Sequence, residues 1–205
     1  MNLCYIISAG ETGKIEIKKN DGDYIICADA GYKKALENSI VPDLVVGDFD
    51  SLGEIPRFDN IELHPAVKDE TDTFLALTCG IERGYKSFVI FGALGGRLDH
   101  TFANIQLLKY LAERNIECTL HSPRETVTVL KNSSLEFSEN EKGTVSVFSL
   151  SDSSEGVTEK GLKYSLDNGV LTSSFPLGVS NEFIGKKAVI SVESGVLMIV
   201  REKIT

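Results

Sequence analysis

Apolar and polar positions along this chain follow two different periods, and the change of period divides it. Up to about residue 120, short runs rich in Ile, Val and Leu at 3–8, 24–28, 44–47, 88–92 and 117–121 read as buried strands. Helical patterns fall between them at about 31–38, 72–83 and 100–114. In the second of these, Phe74, Leu77 and Ile81 recur at helical spacing, and Gly84 stands where the helix should stop. In the third, Phe102, Ile105 and Leu108 form one face, with Leu107 and Leu111 beside it. Such alternation implies an α/β domain with a mostly parallel, doubly wound sheet covered on both faces. Ligands of such sheets bind beyond the carboxyl ends of the strands.

After His121-Ser122-Pro123-Arg124 the helical period is lost. Short alternating runs follow at 126–130, 144–149, 162–166, 188–192 and 196–200, with turn signals at Asp167-Asn168-Gly169 and Glu193-Ser194-Gly195. This pattern predicts a C-terminal all-β sandwich of two small antiparallel sheets. The expected domains are 1–122 (α/β) and 126–205 (β), with the boundary near 122–126.

Composition narrows the class. The 205 residues are 42% hydrophobic and 25% charged, ordinary for a globular protein with a real core. No apolar run approaches the roughly 20 residues that cross a bilayer. The N-terminus lacks a basic leading segment and reads as a first strand, not a signal peptide. Cys4, Cys27, Cys79 and Cys118 are widely spaced with no CxxC pair, the usage of buried, reduced thiols in a cytoplasmic protein. That spacing also speaks against zinc. A net charge of −9 argues against nucleic-acid or anionic-membrane surfaces, though not against ATP.

The chemistry begins at Gly47-Asp48-Phe49-Asp50-Ser51, directly after a strand. If that segment stays extended, Asp48 and Asp50 face one small volume. Two carboxylates so close repel, and a divalent cation removes the conflict. Mg²⁺ suits such a site because it takes a few carboxylates together with substrate phosphates. Further acids fall at strand ends and helix starts: Asp29 in Ala28-Asp29-Ala30-Gly31, Asp69 and Asp72 in Asp69-Glu70-Thr71-Asp72, and Asp99 in Gly95-Gly96-Arg97-Leu98-Asp99-His100. Singly, each could be a cap or a turn residue. Together they gather at one end of one sheet, as metal binding requires. The glycines at 92, 95 and 96 let backbone approach a phosphate, and Arg97 adds a forked donor for its oxygens.

These ordered motifs closely resemble the thiamine pyrophosphokinase family. The resemblance continues at Gly161-Leu162-Lys163-Tyr164-Ser165-Leu166 and Leu177-Gly178-Val179-Ser180-Asn181-Glu182, so it covers nearly the whole chain. It implies a homodimeric enzyme that moves the β,γ-diphosphate of ATP onto the hydroxyl of thiamine, leaving AMP. Mg²⁺ would be held by Asp48, Asp50, Asp69 and Asp72. ATP would be met by Asp29, Gly92, Gly95, Gly96, Arg97, Asp99, His100 and Asn104. Asp48, Asp50, Asp72 and Arg97 would carry the chemistry. Tyr164, Ser180 and Asn181 of the β domain would complete the thiamine site, the last two across the dimer. Tyr164 stands where animal members carry Trp, and Ala30 replaces a frequent glycine. Two other readings use the same Asp-x-Asp: a metal-dependent nucleotidyl- or glycosyltransferase, and a sensor that binds Mg-nucleotide without turnover.

Overall fold

The computed structural model describes residues 2–49, 58–64 and 71–204. The chain divides into two units, Met1–Leu107 with Asn115–Pro123, and Leu108–Arg114 with Arg124–Thr205. The break at Pro123 lies where the apolar period changes. Assignment of Leu108–Arg114 to the second unit has no counterpart in the sequence pattern.

The first unit carries strands β1 (Cys4–Ile7), β2 (Tyr24–Ala28), β3 (Leu44–Gly47), β4 (Ile61–Leu63), β5 (Ser87–Phe91) and β6 (Glu117–His121). They form a parallel sheet in the order β6-β5-β1-β2-β3-β4. Helices α1 (Gly31–Glu37), α2 (Asp72–Glu82) and α3 (Leu98–Glu113) follow β2, β4 and β5. Tyr5, Ile7, Ile25, Cys27 and Val45 pack with Ala35 of α1 and with Phe49 on one face. The alternate face meets α2, where a Cβ added at Gly80 would lie 3.0 Å from Cys4 Sγ and 2.6 Å from the Phe88 ring. The two helices therefore cover opposite faces of the sheet.

Helix α2 begins where Thr71 Oγ1 accepts from the Phe74 N–H at 3.2 Å. It ends as Gly84 predicted: Gly84 (φ +90°) donates to Ile81 O and Tyr85 donates to Gly80 O, the paired bonds of a Schellman stop. In α3 the expected face is shifted. Asn104, Leu108 and Leu111 are buried, whereas Phe102 is 60% exposed. The helix also starts two residues before the expected 100, so Asp99 and His100 lie inside its first turn.

Strand order reverses at β1. The chain runs from β1 outward through β2 and β3 to β4, then crosses back to place β5 on the other side of β1. Loops leaving β1 and β5 consequently diverge and open a crevice at their carboxyl ends.

The second unit holds β7 (Glu125–Lys131), β8 (Ser134–Phe137), β9 (Thr144–Ser149), β10 (Ser153–Lys160), β11 (Leu166–Thr172), β12 (Gly178–Glu182), β13 (Ala188–Ser191) and β14 (Val196–Glu202). One antiparallel group runs β12-β9-β14-β7 and the other β11-β10-β13-β8. Val145, Val147, Leu197 and Ile199 of the first share a core with Val157, Leu171, Ala188 and Ile190 of the second. Strands β4, β8, β10, β11 and β12 escaped the sequence pattern because they are short or polar; β10 reads SSEGVTEK and shifts register around Gly156, and the turn expected at Asp167-Asn168-Gly169 lies instead within β11, paired with β10. Of the strand expected at 162–166 only Leu166, the first residue of β11, is in one; residues 162–165 are not. Gly161 turns the chain at φ +77°, Leu162 makes only an isolated bridge to Phe183, and the Tyr164 N–H bonds the Asn181 side chain instead of a ladder.

Candidate functional site

The crevice at the strand ends is a cleft of about 640 Å³. Ser8, Ala9 and Gly10 after β1 and Gly92 and Ala93 after β5 form its floor, as the strand-order reversal requires. Asp29 follows β2, Asp48 follows β3, and Thr71, Asp72 and Thr73 open α2. Gly95, Gly96, Arg97, His100 and Asn104 supply the remaining wall. Acids that lie as much as 43 residues apart in sequence, from Asp29 to Asp72, thus share one cavity.

Close backbone packing makes this possible. A Cβ on Gly31 would lie 1.9 Å from Ile7 O, and one on Gly92, at φ +72°, would lie 2.4 Å from Ser8 O. Only glycine lets both loops press against the end of β1. Asp29 adopts φ +46° and Phe49 φ +60°. For a bulky residue such as Phe49 that conformation costs about 1–2 kcal/mol, and it persists because the ring is 2% exposed within the core. The premise that 48–50 is extended therefore fails at Phe49. Asp50 and Asp69 lie outside the described residues.

Across the cleft, Ser8 Oγ and Thr73 Oγ1 share a buried hydrogen bond of 2.9 Å. Sequence reasoning missed both residues, along with Thr71; the signal was the Ser8-Ala9-Gly10 segment leaving the first strand. Asn104, 7% exposed, donates to Ala93 O at 2.8 Å and braces the glycine loop. Arg97 Nε and Nη2 bond Asp99 Oδ1 and Oδ2 at 3.2 and 2.6 Å. That pairing holds the Asp99 carboxyl below the usual carboxylate range. Asp99 itself does not line the cleft. It orients Arg97 and accepts the His100 N–H. Two of the five guanidinium donors are engaged by Asp99.

Asp29, Asp48 and Asp72 face this cavity together with Arg97 and His100. The donors are hard oxygens, the type that suits Mg²⁺ and not a soft metal. Among the described residues the three carboxylates do not close on one another as tightly as an all-protein cage requires.

The second unit has its own cavity, of about 220 Å³, lined by Glu159, Tyr164, Leu166, Leu177, Val179 and Asn181 among others. Ser180 is not part of its wall; it sits at φ +59° with its N–H bonded to Ser146 Oγ. Asn181 is 5% exposed and fully engaged. Its Oδ1 accepts from the Tyr164 and Glu182 N–H groups, and its Nδ2 donates to Tyr164 O and Glu159 Oε2. It therefore fixes the cavity wall and has no donor left to offer a ligand. Glu159, which sequence reasoning also missed, is 3% exposed, and burial pushes its carboxyl above the usual range although the Asn181 bond opposes this. An acid in an alternating strand carries no sequence mark of such burial.

Residues 17–120 match the family described as thiamin pyrophosphokinase, catalytic domain, and residues 132–197 match its vitamin B1 binding domain. The chain is 32% identical over 183 residues to the thiamine pyrophosphokinase of Bacillus subtilis (strain 168), with 86% of each chain covered. The crystal structure of the Bacillus subtilis thiamine pyrophosphokinase superposes with a TM-score of 0.87 at 27% identity, covering 100% of both chains. That of the Geobacillus thermodenitrificans protein gives 0.83 at 27% identity, covering 99% of this chain and 98% of the other.

Proposed function

The chain belongs to the thiamin pyrophosphokinase family, and we infer that the cleft of its α/β unit is where ATP is bound and its diphosphate passed on. The reaction is transfer of the β,γ-diphosphate of ATP to the hydroxyl of thiamine, giving thiamine diphosphate and AMP. The observation that carries the assignment of the site is the meeting of Asp29, Asp48, Asp72 and Arg97 in one cavity at the point where strand order reverses.

Charge decides how such a cavity handles a polyphosphate. Carboxylates alone repel it, so the donor set needs a cation between. Asp48 and Asp72, with Asp50 and Asp69, would hold Mg²⁺, which when bound neutralises charge on the phosphate oxygens. The amides of Gly92, Gly95 and Gly96 and the remaining Arg97 donors bind the phosphates and keep them oriented, while Asp99 keeps the guanidinium in place. Asp29 and His100 line the cavity with them and would meet the ATP. Phosphoryl-type transfer asks chiefly for positioning and electrostatic stabilisation, so no covalent nucleophile is required. Asp72, at the first turn of α2, accepts the proton of the thiamine hydroxyl as it attacks the β-phosphorus.

Thiamine is a cation with aromatic rings, and the β-unit cavity offers it matching chemistry: the Glu159 carboxylate, the Tyr164 ring and the apolar Leu177 and Val179. Tyr164, Phe175, Leu177 and Val179 remain 47–64% exposed, an apolar surface that a second copy of the chain covers in a homodimer. No helix among the described residues is long and apolar enough to cross a membrane.

Incubation with ATP, Mg²⁺ and thiamine tests the function. AMP and thiamine diphosphate should appear in equal amounts. ADP as the product, or AMP release independent of thiamine, would overturn it.

A further inference from the structure

We propose that Glu62, His64 and Cys79 form a binding site for a divalent cation of the zinc class at the edge of the α/β sheet, separate from the carboxylate cleft. Glu62 lies on β4, His64 directly follows that strand, and Cys79 stands on α2. One ligand atom from each lies within 4.8 Å of the other two. Cys79 Sγ and Glu62 Oε2 are 3.3 Å apart. A sulfur at about 2.3 Å and an oxygen at about 2.0–2.2 Å on one tetrahedral zinc stand roughly 3.5 Å from each other, so little movement is needed.

A second observation points the same way. Among the described residues, His64 Nε2 is buried and has no hydrogen-bond partner. An unsatisfied buried ring nitrogen is costly, and a metal–nitrogen bond removes that cost. The residue is set in place by its N–H, which donates to Gly47 O at 3.0 Å and extends the β3–β4 pairing. Glu62 is oriented too. Arg83 Nη2 holds Oε1 at 2.5 Å while Oε2 turns to the thiol, the outer-shell support common around metal ligands.

Sulfur, imidazole and carboxylate together select zinc or cobalt over Mg²⁺. On binding, the Cys79 thiol gives its proton to solvent and the thiolate forms the metal–sulfur bond, with water completing the fourth position. Glu62 and His64 are only partly buried, which leaves an entry route. The ion would tie edge strand β4 to the helix that carries Asp72.

The test is a Co²⁺ titration of the chelator-treated full-length protein. A thiolate-to-cobalt charge-transfer band in the near ultraviolet should saturate at one equivalent and be erased by added Zn²⁺. Cys79→Ala should lose the band entirely with its helical circular dichroism retained. Glu62→Gln and His64→Ala should each weaken cobalt binding by about ten-fold or more while keeping the band. Cobalt held by the carboxylate cleft alone gives no thiolate band, so absence of the band in the parent protein overturns the proposal. So does a band that survives Cys79→Ala, or cobalt affinity unchanged in both Glu62→Gln and His64→Ala.

Discussion

In the α/β cleft the polar groups stand on strand ends and loops, with Asp48 and Asp72 half-buried and Arg97 and His100 exposed. In the β-unit cavity they are locked, with both donors and both acceptor positions of Asn181 consumed by neighbours. Under the proposed function, the first arrangement keeps charge able to exchange partners as phosphates arrive and leave. Its rigidity comes from backbone, through glycines pressed on β1 and a left-handed Phe49 held by the core. The second fixes a shape before any ligand enters, which lowers the ordering cost of binding. One molecule thus uses backbone to position exchangeable charge and side-chain hydrogen bonds to position a wall.

The sharpest way to break this contrast is Asp72→Asn. It keeps the size of the side chain and the α2 start, so the urea midpoint should hardly move. Turnover should fall about a thousand-fold, equivalent to about 4 kcal/mol of barrier. Steady-state AMP release measures it, and a folded variant within ten-fold of the parent would show that the cleft charge is not catalytic.

Asn181→Leu should behave in the opposite manner. It strands the Tyr164 carbonyl and the Glu159 carboxylate, so stability should drop by about 3 kcal/mol in urea unfolding. The residual folded enzyme should show a raised KM for thiamine with a smaller change in kcat. Unaltered stability would mean that the wall is held by something else.

The smallest effect is a pH dependence. Burial raises the Glu159 carboxyl, so the folded state holds its proton more tightly than the unfolded chain does. Wild-type stability therefore loses this contribution as pH rises from the ordinary carboxylate pKa through the folded value. Glu159→Gln, which has no proton to lose, should gain on the wild type across that window. Parallel urea midpoints against pH for the two proteins would contradict the burial argument.

Legibility differed by element. Strands β2, β3 and β6 and the stop of α2 were readable because buried runs and a C′ glycine are local signals. The polar strands β10 and β12 were not, since their pairing is decided by partners far along the chain. The acidic motifs and the glycine loop were also readable, because each sits at the end of a recognisable strand or the start of a helix. From sequence alone, then, came the α/β-then-β order, the family resemblance and the residues proposed to handle phosphate. Tertiary structure decided which of them meet. It showed that Asp99 serves Arg97, that Asn181 is a brace, and that Glu159 is buried. It also brought together a set of zinc-type ligand atoms that cysteine spacing alone speaks against. Cys79 has no metal-spaced neighbour along the chain, yet the parallel crossover from β4 to α2 brings it to Glu62 and His64. Local propensity acts over a few residues, whereas the assembly of ligands depends on strand order and crossover, which only the packed sheet fixes.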